Sequence, residues 1–551
     1  MKGRITMIKL LRLGWMPLLL IIFLFAGVAS SQVLQVKTID RPYEVYFNNC
    51  KDLARFHGIP VNELHLFAYH ASQGKWEPIP FQIDERSIVT TDGKVDTTYF
   101  AEYNGLLDPF DEIAHMVKDL GDKVTPGNWI NNPESKQYIR YEIAAIDPLD
   151  NSKKGWAYLY RSSTITEKSA VSYISYNDQN DLIQSQFYEA AYNENGVLTN
   201  LSVTNPGGGN GANLLDRQKY RFEFYFTAHE GIFSESDFVL KSIENVQGPI
   251  RIIRRSLNDL KNELGFKFEN EPITAKFYPF YLQYSGTLPL HKFGSAALVN
   301  IELVRQTLDF NTNAVGMKFF NAFNDNILVD GSPDAVDDSL YQSVLNWMML
   351  TGEQGSVLAT YNFTPPLNSS QRLYYRDSEK ALEFDTGDNK SYGEMGIQIT
   401  GYRMQDPIPY NMQIFFLPRN QSSADGQKIL SFFANRVIED FFEQNFLTQV
   451  EPLQIQTLPR QFRLEQNFPN PFNPETTIVF ELPRNSFVNI KIMNILGQTI
   501  KTLVNQNLPA GRYQTVWLAE NERGQKVGSG VYFYLMESNN FRDLKKMILI
   551  D

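Results

Sequence analysis

Gln466-Asn-Phe-Pro-Asn-Pro-Phe-Asn-Pro474 is the stretch from which the fold is read. Its prolines, Pro469, Pro471 and Pro474, each fix φ and remove a backbone donor, so neither a helix nor a central strand can pass through. Asn467, Asn470 and Asn473 supply side-chain turn bonds. Beyond this punctuation, Ile478, Phe480 and Leu482 alternate with Thr477, Val479 and Glu481, and Val488, Ile490 and Ile492 repeat the pattern. Each such segment is a strand with one buried face. Asn494-Ile-Leu-Gly497 and Pro509-Ala-Gly511 are turns, with Gly497 free to take positive φ. Trp517 is placed to plug a sandwich, and Val531, Phe533 and Leu535 continue one face. About seven short strands are expected over 462–551, enough for a two-sheet sandwich.

These residues, together with Asn494-Ile-Leu-Gly-Gln498, Gly530-Val-Tyr-Phe-Tyr534 and Lys545-Lys-Met547, resemble the type IX secretion (Por) C-terminal sorting domain, an immunoglobulin-like module. The resemblance implies a part that is not catalytic: it is recognised by the type IX secretion machinery, cleaved by its C-terminal signal peptidase, and followed by release or surface attachment of the cargo. Carried onto this chain, the recognition positions are Gly511, Gly530, Lys545 and Lys546. Leu518 stands where the family often has Asp, and Asp551 where it often ends in a basic residue.

The other end of the chain agrees. Lys2, Arg4, Lys9 and Arg12 precede the apolar run 18–28, and Ala29-Ser-Ser31 offers small residues before Gln32. Residues 1–31 therefore read as a secretory signal for the Sec translocon. Of 551 residues, 43% are hydrophobic and 13% aromatic, which favours a large core built of strands. A net charge of −11 with no basic cluster excludes nucleic acid as a partner. Cys50 is the single cysteine, so no intramolecular disulfide forms and burial must stabilise the fold; Cys50 itself reads as a small buried hydrophobe.

Between the ends, 33–124 reads as a small β-rich module and 138–447 as a large β-sandwich domain, with a linker at 451–461. Strands are expected at Tyr43-Glu-Val-Tyr-Phe47, Leu64-His-Leu-Phe-Ala-Tyr69, Ile79-Pro-Phe-Gln-Ile-Asp-Glu85, across 277–284 and in several further segments. Residues 423–446 place Ile429, Leu430, Phe433, Val437, Ile438, Phe441 and Phe442 at helical steps, predicting one amphipathic helix. Asn205-Pro-Gly-Gly-Gly-Asn-Gly211 lacks the residues of a phosphate loop and reads as a flexible surface loop. The pair Pro80-Phe-Gln-Ile-Asp-Glu85 and Asp108-Pro-Phe-Asp-Glu-Ile113 resembles uncharacterised secreted β-sandwich proteins, some close to carbohydrate-active folds.

Chemistry is expected first at Asp84, Glu85, Asp108, Asp111 and Glu112, with Arg251 in reach. Paired carboxylates suit general acid–base work when their environments differ, or Ca²⁺ coordination; solvated strand ends are the ordinary alternative. A second acidic run contains Asp325, Asp330, Asp334, Asp337 and Asp338 and could hold calcium, although Gly331 and Pro333 mark it equally as a turn. His57, His65, His70, His115, His229 and His291 make no zinc motif. Arg251, Arg254 and Arg255 suit structural ion pairs or a carboxylated sugar, and Trp76, Trp129, Trp156 and Trp347 suit the core or sugar stacking. The sequence thus predicts a mostly β, multidomain exported protein. Its body binds an extracellular ligand such as polysaccharide; a lyase or glycoside hydrolase, or a structural envelope protein, is the alternative.

Overall fold

The computed structural model describes residues 35–550 except 92–93, 101–102, 125–126, 227–228, 262–266, 270–271, 289–298, 335–346, 365–368, 383–384, 404–407, 447–449, 454–456 and 522–525. The signal expected at 1–31 lies outside them. The described chain is mostly β, built of antiparallel sheets with one α-helix, Ser423–Ala434.

Four layers of sheet stack in the body. The first is a five-stranded sheet ordered Ile438–Asn445, Ile139–Asp147, Asp150–Arg161, Leu64–His70, Lys75–Pro78. The second is a three-stranded sheet, Val45–Asn49, Glu112–Met116, Phe81–Asp84. The third is a ten-stranded sheet in which Ile252–Lys261, Ile273–Tyr278, Tyr281–Leu288, Ile408–Leu417, Gly355–Phe363 and Trp347–Gly352 are neighbours in that order. The fourth joins a five-stranded sheet, including Leu215–Phe226, Val299–Phe310, Ser391–Arg403 and Ser370–Ser378, with a four-stranded sheet that ends at Leu198–Val203.

The period of two explains the stacking. In the three-stranded sheet, Tyr46 and Ile113 pack with Leu66, Ile143 and Leu159 of the first layer. Their neighbours Val45, Ala114 and Met116 pack with Tyr281, Leu358 and Phe415 of the third. The third layer is apolar on both faces, since Leu282, Met348, Ala359 and Ile414 enter the core shared with the fourth. Runs such as Trp347–Gly352 are therefore continuously buried.

The hydrogen-bonded sheets do not follow the divisions drawn from the sequence. Leu64–His70 pairs with Asp150–Arg161, across the expected boundary between 124 and 138. The helix stops at Ala434 instead of running to 446, and Ile438–Asn445 is a strand on the free edge of Ile139–Asp147. The spacing of its apolar residues fits either element. The arrangement is settled by Arg41, which donates to the carbonyls of Phe432 and Asn435, and by the Val437 amide, which donates to Glu44 Oε1 at 2.7 Å. The expected strand over 277–284 is a hairpin that turns at Pro279-Phe280, where proline has no amide to give. The glycine loop is a packing device. A Cβ at Gly209 would lie 2.3 Å from the Val203 carbonyl oxygen, and one at Gly207 would lie 2.5 Å from that of Phe187.

The C-terminal unit is a sandwich of two four-stranded sheets around Trp517, which is fully buried. The linker expected at 451–461 begins inside it: Val450–Leu453 is an edge strand paired with Gly511–Trp517.

Two buried carboxyls give the fold an unusual pH dependence. Burial pushes Glu44 up to about 7 and Asp377 up to about 6, against the Val437 amide at Glu44 and the Asp330 and Gly331 amides at Asp377. Both titrate higher in the fold than in the unfolded chain. The stability tied to their protonation is complete below the ordinary carboxyl range and is lost as pH rises through about 6 to 7. The urea midpoint is expected to fall between pH 4.5 and 7, and Glu44→Gln should flatten that fall. A midpoint rising over this interval would refute the assignment.

Candidate functional site

Asp84 and Glu112 do converge with Arg251, but between layers and not in a cleft. Asp84 ends one strand of the second layer, Glu112 begins its neighbour, and Arg251 leads into Ile252–Lys261 of the third. Arg251 Nε donates to Asp84 Oδ2 at 2.6 Å and Nη2 to Glu112 Oε2 at 2.6 Å. Arg86 Nη1 takes Glu112 Oε1 at 2.9 Å. Gln82 donates to Asp84 Oδ1 and accepts from the amides of Ile250 and Arg251. Asp84 and Arg251 are 1% and 0% exposed. Burial alone would push Glu112 up, yet the charges of Arg251 and Lys276 hold it below the usual carboxylate range. Lys276, buried beside Arg251, is lowered to about 8. Every carboxylate oxygen of Asp84 and Glu112 accepts from a cation or an amide.

Glu85 and Asp111 take part in loop closure. Asp111 accepts from the amides of Arg86 and Asp108 at 2.9 and 2.8 Å, and Glu85 accepts from that of Gly105. Burial pushes Asp111 up to about 6. Cys50 is 1% exposed, and burial pushes its thiol well up, so it is the inert hydrophobe expected. His115, fully buried, sits 3.1 Å from Glu439 Oε1; burial opposes its protonation, but the Glu439 carboxylate prevails and raises it.

The second acidic run is a pinned turn. Asp330 accepts from the Ser332 amide, and buried Asp377, which nothing in the run announces, accepts from the amides of Asp330 and Gly331. Asp334 is exposed, and Asp337 and Asp338 lie outside the described residues. Trp129, Trp156 and Trp347 are buried. Trp129 and the half-buried Trp76 help to enclose the guanidinium of Arg140, 4.4 and 5.6 Å from their rings. Arg254 pairs with Asp181, and Arg255 with Glu244.

A cleft lies elsewhere. It has a volume of about 710 Å³, formed where 169–173 passes over Pro78-Ile79-Pro80, with Lys37, Lys118, Asp119 and Tyr173 in its wall. Tyr173 donates its hydroxyl to Asp119 Oδ1 at 2.7 Å, while the buried Asp119 Oδ2 has no donor. Lys118 Nζ lies 4.1 Å from the centre of the Tyr173 ring. Burial raises Asp119 and lowers Lys37 and Lys118. The groups come from four separate segments and form no motif.

Removing one member of a buried ion pair strands its partner at a cost of about 3–5 kcal/mol. Arg251→Met should lower unfolding free energy by about this amount in urea denaturation, and Arg251→Met with Asp84→Leu should regain part of it. A wild-type midpoint for the single variant would show that the cluster does not fasten the layers.

In the C-terminal sandwich the proline-rich loop lies against the last strand. Phe472 N donates to the Ile548 carbonyl and Ile550 N to that of Phe472, each at 3.0 Å, and Asn470 Oδ1 accepts from Ile548 N at 2.9 Å. Gly511 opens one strand, with the Tyr513 ring 3.1 Å from where a Cβ would sit. Gly530 opens another at φ +158 and pairs with Leu549. Lys545 and Lys546 lie opposite Tyr534 and Phe533, Lys546 exposed and Lys545 3.5 Å from Asp543. No curated protein matches the chain. Among solved structures, an alpha-mannosidase from Enterococcus faecalis V583 aligns at 7% identity and TM-score 0.35, covering 88% of this chain and 55% of that one. Dimeric latent PorU from Porphyromonas gingivalis aligns at 10% identity and TM-score 0.15, covering 66% and 31%. The chain thus spans about half the length of the mannosidase, and superpositions this loose assign no activity. Residues 466–550 match the secretion system C-terminal sorting domain, so this segment is a type IX sorting domain and the chain is cargo exported across the outer membrane, secreted or held at the cell surface.

Proposed function

We propose that the protein is an exported binding protein whose body holds an extracellular polysaccharide in the cleft beneath 169–173. The observation that carries this reading is the division of labour among its polar groups. Asp84 and Glu112 are held by Arg251 and Arg86, whereas Asp119 and Tyr173 stand side by side in the wall of a cleft of about 710 Å³. A ring face and a carboxylate side by side suit a sugar, which offers apolar C–H faces and hydroxyl donors. Sec export by the signal at 1–31, and removal of the sorting domain by the C-terminal signal peptidase, complete the reading.

A polysaccharide panel run in affinity electrophoresis tests it. Retardation by at least one polymer is expected, weakened about tenfold by Tyr173→Ala, equivalent to about 1.4 kcal/mol. New reducing or unsaturated ends in the polymer would instead establish a hydrolase or lyase and sink the binding-only reading.

Export gives a second expectation. Because Val450–Leu453 belongs to the terminal sandwich, deletion of 450–551 should leave a folded body in the periplasm. Appearance of that truncated protein outside the cell in normal amount would refute the sorting role.

A further inference from the structure

The outer face of the five-stranded sheet in the fourth layer carries a charged cluster that neither acidic run of the sequence contains. Asp309 lies on Val299–Phe310 and is 0% exposed. Asp216 is the extra residue of a bulge directly across from it: Leu215 pairs with Phe310 and Arg217 with Asp309, which leaves Asp216 unpaired and its side chain re-aimed. Asp388 comes over the sheet on the loop Asp385-Thr-Gly-Asp388 and is exposed. One carboxylate oxygen from each of the three lies within 4.8 Å of the others. That is the spread oxygens take around a calcium ion, which holds them at about 2.3–2.6 Å.

An acidic cluster alone means little. Here the deepest member is under-satisfied. Lys219 Nζ sits 2.8 Å from Asp309 Oδ2, but the buried Oδ1 has no hydrogen-bond donor. A buried carboxylate oxygen without a partner is costly and calls for an ion or a proton. The charge count points to an ion. Asp216, Asp309, Asp385, Asp388 and Glu394 face Lys219, Arg217 and Arg376, five carboxylates against three cations. Lys219 bridges Asp309 and Asp385, Arg376 pairs with Asp385, and Arg217 with Asp216 and Glu235. Lys390, the next cation along the loop, engages Glu379 and Tyr392.

From the Asp216–Asp309–Asp388 juxtaposition we infer that the protein binds one calcium ion on this sheet, between the bulge and the loop. The exposed side of Asp388 leaves coordination positions for water, which calcium accepts in its flexible shell of six to eight oxygens. Three carboxylates with a lysine nearby make a weak site, suited to the millimolar calcium range of extracellular modules, on the order of 10⁻⁴–10⁻³ M. The ion would clamp the loop at 385–388 to the strands beneath it.

Isothermal titration of the full chain, stripped with chelator, with calcium chloride and separately with magnesium chloride tests this. A saturable isotherm for one calcium is expected, with a Kd on the order of 10⁻⁴ M, and with magnesium at least tenfold weaker. Asp388→Asn, an exposed change that spares folding, should weaken calcium at least tenfold, as should Asp309→Asn. Asp330→Asn, in the pinned turn, should leave the isotherm unchanged. Absence of calcium binding, equal binding of magnesium, or a wild-type isotherm for Asp388→Asn would overturn the assignment.

Discussion

The body depends on a guanidinium buried between two sheets. Arg251 precedes Ile252–Lys261 of the ten-stranded sheet and finds two carboxylates, Asp84 and Glu112, at the ends of neighbouring strands of the three-stranded sheet. Neither sheet could present these charges to an apolar face alone, because an unpaired buried charge costs several kcal/mol. Their pairing sets the register of one layer on the other, and Gln82 reinforces it by taking the backbone amides at 250 and 251. Glu112, held by Arg251 and Arg86 together, fastens the two layers to each other.

Much of the strand inventory was legible because the period of two survives in the sequence. The alternation at 478–482 and the apolar run at 64–69 coincide with strands. What the sequence withheld was partnership. Ile438–Asn445 has apolar residues at helical spacing, and only the vacant edge of Ile139–Asp147 and the hold of Arg41 on Phe432 and Asn435 make it a strand. The glycines at 207 and 209 looked like mobility and are close packing, since the backbones they approach lie far off in sequence.

The candidate sites divide along the same line. Asp84, Glu112 and Arg251 were visible as residue types, and their convergence is real, but their burial was not readable from spacing. The cleft around Asp119 and Tyr173 and the trio Asp216, Asp309 and Asp388 draw on segments dozens to hundreds of residues apart. No local motif could have announced them. Asp216 owes its direction to a bulge, a feature defined by the partner strand and not by its own neighbours.

The hydrogen bonds between the proline-rich loop and the last strand carry a further consequence. Phe472 and Asn470 depend on backbone groups at 548 and 550, so the beginning of the sorting domain is incomplete until its end exists. A chain broken off a few residues early would leave this loop unanchored and the edge of the final sheet open. The module is therefore closed only when both of its ends are present.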